Sequence, residues 1–224
     1  MVVKVNLGCG PRPFKGWVNI DKSWNTLLYK FPLLKKLIIK SLLSLGWVTK
    51  DALENVVDYP HDLDIRRCDV TKGLPFDDAS VDYIYTSHML EHLHKEDAIF
   101  VLKEFYRVLK PKGVLRVVVP DLKIYAKEYL NKEGFSVDND LPAADKFMDS
   151  IMLQGIGEIR PLFYKLMCKR HQWMYDFESL ARRLWDCGFS KVKECKLGEG
   201  LLPDIQYIEQ QEYHLKSVYL EAIK

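Results

Sequence analysis

The chain has 224 residues, a length suited to one large domain at roughly 150 residues per domain, with an apolar fraction of 48% and a charged fraction of 29%. Intrinsic disorder, collagen-like repeats and disulfide-stapled miniproteins are excluded by that balance. The 33 basic and 31 acidic residues leave a net charge of +2, too even for a protein that lives on a phosphate backbone, so nucleic acid is not expected as a partner.

The first predicted strand, Val2 to Leu7, ends in Gly8-Cys9-Gly10-Pro11. Trp17 to Asp21 reads as a second strand, Asp64 to Asp69 as a third, and Val81 to Thr86 as a fourth. Glu96 to Leu109 carries Ile99, Leu102, Phe105, Tyr106 and Leu109 at helical spacing, and Lys110-Pro111-Lys112-Gly113 is expected to stop it. Val114 to Val119 is apolar at almost every position, as a strand covered on both faces should be. Asp176 is placed to cap a helix that ends at Gly188, and Lys191 to Leu197 and Ser217 to Ile223 read as an antiparallel closing pair. This alternation predicts an α/β fold, Rossmann-like and doubly wound, with a mostly parallel seven-stranded sheet and an antiparallel edge strand.

Residues 1–224 are read as a single domain with two departures from the alternation. One is an inserted segment at 22–60, the other a helical substrate-side cap at 131–171. In the first, Leu33, Leu34, Leu37, Ile38, Leu42 and Leu45 share an apolar arc, with Lys35, Lys36 and Lys40 outside it. Such a basic amphipathic helix serves as a lid or as a peripheral membrane contact, and ordinary packing favours the lid. In the second, Phe147, Met148, Ile151 and Met152 fall at helical spacing, and Tyr164, Trp173 and Tyr175 are candidates to line a pocket.

The five cysteines, Cys9, Cys68, Cys168, Cys187 and Cys195, are odd in number and include no C-x-x-C pair. Neither a zinc knuckle nor a disulfide framework is expected, and a reducing, cytoplasmic compartment is. The N-terminal MVVKVNLGCG lacks a leader pattern, and no run of about 18 uncharged apolar residues occurs.

A strand ending in Leu7-Gly8-Cys9-Gly10 lets backbone pass close to a ligand, because glycine has no side chain and tolerates positive φ. The dinucleotide fingerprint G-x-G-x-x-G fails at Pro13, and no phosphate-cradling G-x-x-x-x-G-K-[ST] is present. Ligands of open α/β sheets lie outside the carboxyl ends of the strands, where strand order reverses. Asp21, Asp69 and Ser87-His88 stand at successive predicted strand ends. A carboxylate after the second strand can accept two ribose hydroxyls, and one after the third can accept an adenine amino group. Each Asp taken singly is also an ordinary turn former or cap.

Three segments in order, VNLGCGPRPFKGWVNID, CDVTKGLPFDDASVDYIYTSHMLEHL and EFYRVLKPKGVLRVVVPD, resemble those of class I S-adenosylmethionine-dependent methyltransferases of the small-molecule type. The resemblance spans Val2 to Asp121 and, more weakly, His171 to Lys224. It implies that Gly8 and Gly10 pass the methionine part of the cofactor, that Asp21 holds the ribose, and that Asp69 and Val70 address the adenine. Asn6, Leu7, Cys9, Lys22, Ser87 and His88 complete the implied cofactor set. S-adenosylmethionine is then the cofactor, S-adenosylhomocysteine the product, and no metal is expected. Asn6 takes the usual acidic position, and Arg12 that of a third glycine. The connection from Gly10 to Trp17 is too short for a helical crossover, although seven extended residues span roughly 23 Å.

His88-Met89-Leu90-Glu91-His92 also spells H-x-x-E-H, the zinc motif of inverted zincin proteases, in which a helix stacks the two histidines. No obvious third ligand accompanies it, which leaves a zinc hydrolase as the remote alternative. Under the methyltransferase reading His88 is the first candidate base, ahead of His171 and His92, with helix capping as its plainer role. The substrate-side candidates are Glu91, Asp121, Tyr125, His171 and Trp173. Ser87-His88-Met89-Leu90 replaces the N-P-P-[YF] run of base- and glutamine-modifying members. The expected acceptor is therefore an oxygen or nitrogen of a small molecule, with a sugar or lipid-linked glycan in view. A cofactor-binding partner subunit without turnover is compatible with the same residues.

Overall fold

The computed structural model describes residues 1–10, 12–23, 31–45, 64–131, 143–151, 170–209 and 216–224. Seven strands, β1 (Lys4–Leu7), β2 (Val18–Asp21), β3 (Ile65–Arg67), β4 (Val81–Ser87), β5 (Leu109–Pro120), β6 (Lys191–Cys195) and β7 (Ser217–Ile223), form one sheet ordered β3-β2-β1-β4-β5-β7-β6. Strands β1 to β5 are parallel, and β7 runs antiparallel between β5 and β6. The strand order reverses between β1 and β4, whose ends pair at Leu7 and Thr86. That reversal sets the glycine turn beside Ser87 and His88, at the position where sheets of this kind take ligands.

Among the described residues the helices are α1 (Pro32–Ser44), α2 (Lys95–Val108), α3 (Leu122–Asn131), α4 (Ala143–Ser150), α5 (Phe177–Asp186) and α6 (Ile205–Ile208). Ala98, Val101, Leu102, Phe105 and Val108 of α2 recur at three- and four-residue intervals and are buried on one face of the sheet. Beside it lies α5, held at its start by the expected cap: Asp176 Oδ1 accepts from Ser179 N at 2.8 Å, and Ser179 Oγ accepts from Asp176 N at 3.2 Å. Removing such a cap costs about 1 kcal/mol. Lys110-Pro111-Lys112-Gly113 does not separate helix from strand as expected. Strand β5 begins at Leu109, opposite Val81, and resumes its register at Val114 opposite Tyr83. The intervening residues bulge out, anchored by Lys110 Nζ on Asp82 Oδ2 at 2.7 Å.

The opposite face is built differently. The β1–β2 connection holds no helix, yet the strands pair in parallel from Val5 and Val18. Two asparagine side chains supply the missing hydrogen bonds. Asn6 Nδ2 donates to Arg12 O at 3.1 Å and to Asn19 Oδ1 at 3.1 Å. Asn19 Oδ1 accepts from Phe14 N at 2.8 Å, and its Nδ2 donates to Phe14 O and Trp17 O. Phe14 and Trp17 then pack on this face with Tyr85, Val118, Tyr219, Leu202 and Ile205. The last two come from the long β6–β7 connection, which occupies the place a crossover helix would fill.

Arg116, fully buried on β5, pins that connection. Its guanidinium reaches Glu209 Oε1 at 2.9 Å and Oε2 at 2.7 Å, and donates to Lys196 O and Glu199 O. Glu221 accepts from Leu201 N and Leu202 N. A buried pair stabilises only when its remaining donors and acceptors are met, and here they are.

The expected insert at 22–60 and cap at 131–171 lie mostly outside the described residues, as do Tyr164, Met152 and Cys168. Within them, Leu33, Leu34 and Leu37 of α1 and the following Leu45 are exposed. Among the described residues, no helix is long and apolar enough to cross a membrane.

Candidate active site

A cavity of about 220 Å³ opens at the ends of β1 and β4, lined by Asn6, Gly8, Cys9, Gly10, Arg12, Phe14, Tyr85, Ser87, His88 and Ile208. Its floor is the glycine turn. Gly8 has φ +67° and lies so close to Met89 that a Cβ would meet Met89 Cγ at 2.6 Å. Gly10, at φ +49°, has nothing within 4 Å of the Cβ position, so a ligand can lie directly against its backbone. Asp21 closes this turn onto β2, accepting from Gly10 N at 2.9 Å through Oδ2 and from Ser23 N at 2.6 Å through Oδ1. A carboxylate has about four acceptor positions, so capacity for hydroxyl donors is left.

The other cofactor candidates fall into two groups. Leu7 and Val70 turn into the core. Asp69 caps the 3-10 turn Val70–Lys72, accepting from Thr71 N and Oγ1, and pairs with Lys22 Nζ at 2.6 Å. Burial would raise its carboxyl, but the Lys22 and Thr71 hydrogen bonds outweigh that and hold it below the usual range. Asp21, Lys22, Asp69 and Val70 do not line the cavity itself. Cys9 lines it as a neutral thiol, since burial and Asp21 both push its ionisation up.

His88 connects the cavity to the buried groups behind it. It follows β4 directly with φ +51°, a left-handed conformation that a non-glycine residue holds only when its surroundings impose it. Here they do: His88 N donates to Val118 O at 2.9 Å, the ring Nε2 lies 3.4 Å from Ser217 Oγ, and Nδ1 lies 3.1 Å from Glu91 Oε1. The helix expected to stack His88 on His92 does not form. The left-handed turn at His88 breaks the spacing, and only Leu90–His92 coil, as a single 3-10 turn.

Glu91 is fully buried, and its carbonyl accepts from Gln172 N at 2.6 Å and Trp173 N at 3.2 Å. Those bonds bring His171 against His92, with ring centroids 4.9 Å apart. Burial lowers the ionisation of His171, with Glu91 acting in the opposite sense. Donor atoms of Glu91, His92 and His171 lie within 4.8 Å of one another.

The remaining substrate-side candidates sit apart from the cavity lining. Asp121 accepts from Lys123 N at the start of α3, and burial raises its carboxyl. Tyr125 lies under Lys216 and Trp173 under Lys95, cation to ring. Sequence reasoning missed Arg12, Phe14, Tyr85 and Ile208 as lining residues. Arg12 and Phe14 lie within the first quoted motif, whereas Ile208 belongs to the β6–β7 connection and carries no local signal.

Residues 46–117 match a family model described as a methyltransferase domain. A SAM-dependent methyltransferase from Archaeoglobus fulgidus superposes with a TM-score of 0.50 at 13% identity, over 100% of this chain and 86% of that one. Another, from Methanosarcina mazei, gives 0.49 at 16% identity over 98% and 89%. A possible histamine N-methyltransferase from Thermotoga maritima gives 0.48 at 17% identity over 100% and 83%. No curated protein matches the chain. The family match covers less than half of the chain; together with the sheet order it makes the chain similar to S-adenosylmethionine-dependent methyltransferases.

Proposed function

We propose that the chain methylates an oxygen or nitrogen atom of a small-molecule acceptor, with His88 as the group that receives the acceptor's proton. The observation that supports this most is the setting of His88, at the end of β4, lining the cavity and backed by a buried carboxylate. Gly8, Gly10 and Asp21 would hold S-adenosylmethionine, which when bound supplies a methyl carbon on positively charged sulfur, the C–S electron pair remaining on sulfur after transfer.

The protein's part is positioning and proton transfer. Aligning the nucleophile for in-line attack contributes roughly 7–11 kcal/mol. The Glu91 carboxylate beside Nδ1 of His88 favours a proton on that nitrogen, which would leave Nε2, 3.4 Å from Ser217 Oγ, as the lone-pair atom. A hydroxyl acceptor loses its proton there as the new bond forms, whereas an ammonium acceptor gives up its proton there first and attacks as the neutral amine.

The exposed apolar residues of α1, with Lys40 also exposed beside them, support a peripheral membrane contact over a packed lid. Incubating the protein with S-adenosylmethionine and a panel of hydroxyl and amine acceptors, with products read by mass spectrometry, tests the assignment. Products 14 Da heavier, formed by the parent and not by His88→Ala, support it; cofactor binding without turnover on any acceptor makes the chain a binding subunit.

A further inference from the structure

Among the described residues, the buried side-chain atoms without a hydrogen-bond partner are Thr86 Oγ1, Ser87 Oγ, the Tyr175 hydroxyl, both carboxylate oxygens of Glu91 and Nδ1 of His171, and of these Glu91 and His171 come together beside His92. The Glu91 side chain is fully buried, Oε1 lies 3.1 Å from Nδ1 of His88, and among the described residues neither oxygen has a hydrogen-bond partner. Nδ1 of His171 is buried and likewise without a hydrogen-bond partner. Groups of this kind are normally satisfied, because a charge removed from water without compensation is expensive. His92 presents its Nδ1 to Arg170 O at 3.3 Å. A backbone carbonyl on one ring nitrogen fixes the tautomer that leaves the other nitrogen as a lone-pair donor, as in histidines that bind metals.

We propose that Glu91, His92 and His171 are the protein ligands of one divalent transition-metal ion held next to His88. One carboxylate oxygen and two imidazole nitrogens suit Zn²⁺, Mn²⁺ or Fe²⁺ and leave positions open for an outside ligand. Glu91 then divides its oxygens, Oε1 facing His88 and Oε2 facing the ion. Zinc bonds of about 2.0–2.2 Å place tetrahedral donors about 3.4 Å apart, so loading draws the set together from its 4.8 Å spread. The role of the ion rests on the methyltransferase reading: its open positions take an oxygen donor of the acceptor and hold it within reach of His88. This points to acceptors with a second oxygen beside the methylated atom, such as vicinal diols, catechols or hydroxy acids. The ligands come from two segments, the turn after β4 and the residues before Tyr175, which is why the H-x-x-E-H string by itself offers no third ligand.

The test uses the full chain stripped with a chelator and titrated calorimetrically with ZnCl₂ and MnCl₂. Co²⁺ absorption is followed in parallel, and S-adenosylhomocysteine binding is measured on every sample. The expected result is one equivalent of ion and a raised Tm. Affinity should fall at least tenfold in Glu91→Gln, His92→Gln and His171→Gln, while each variant still binds S-adenosylhomocysteine and is thereby shown to be folded. Parent protein that takes up none of the three ions while binding S-adenosylhomocysteine overturns the site and leaves the methyltransferase reading standing. Uptake that survives all three substitutions places the ion elsewhere and also overturns it. Uptake without S-adenosylhomocysteine binding keeps the site and removes its role in methyl transfer.

Discussion

Glu209 and Glu91 are both removed from water, and their surroundings are opposite. Glu209 meets the guanidinium of Arg116 through both oxygens and accepts from Gly198 N at 2.8 Å as well. Glu91 has a histidine at one oxygen and nothing hydrogen-bonded at the other. A satisfied buried pair fixes a shape, here the β6–β7 connection against the sheet. An unsatisfied one stores a cost that a folded protein retains where a ligand or a reaction repays it. The difference supports the proposed division in which Glu209 serves architecture and Glu91 chemistry.

That assignment can be broken most forcefully at Arg116. Arg116→Ala strands Glu209 without its partner and should cost about 3–5 kcal/mol in denaturant unfolding. His88→Ala should lower turnover by roughly 10²–10⁴-fold, with S-adenosylhomocysteine affinity and Tm nearly unchanged, as checked by steady-state kinetics beside calorimetry. Asp21→Ala removes the acceptor that closes the glycine turn and should weaken cofactor binding by about 1–3 kcal/mol, read by the same calorimetry. Glu91→Gln keeps the shape and replaces a carboxylate that lacks hydrogen-bond donors, so its stability should stay within about 1 kcal/mol of the parent or exceed it, while turnover falls. Equal destabilisation by Glu91→Gln and Glu209→Gln would dissolve the distinction.

The smallest effect lies at acid pH. Lys110, with Val3 N, holds the Asp82 carboxyl below its usual range, and Arg107 does the same for Glu104. A depressed carboxylate contributes stability above its unfolded pKa, near 4, and loses it as pH falls through the folded value. Unfolding free energy should therefore decline below about pH 4, and Asp82→Asn should flatten that decline.

The strands and the glycine turn were legible because they are local: β-branched runs, Gly8 and Gly10, and an acid after the second and third strands. The parallel β1–β2 pairing could be anticipated only as a length argument, since the side-chain bonds of Asn6 and Asn19 that replace a helix are invisible to periodicity. The bulge at Lys110 to Gly113 was read as a stop, because proline and glycine signal a break without saying whether a strand resumes its register afterwards. The left-handed turn at His88 had no sequence signal at all. It undid the helical stacking of His88 and His92, while the approach of His171 to Glu91 depends on backbone bonds between distant segments.

Every role proposed for the site requires a cofactor bound against Gly10 at the ends of β1 and β4. Calorimetric titration of the parent and Gly10→Val with S-adenosylhomocysteine tests this directly. Saturable one-site heat in the parent, abolished in Gly10→Val with the fold intact, is the predicted result. The absence of heat and thermal shift in the parent, or undiminished binding in Gly10→Val, would contradict it.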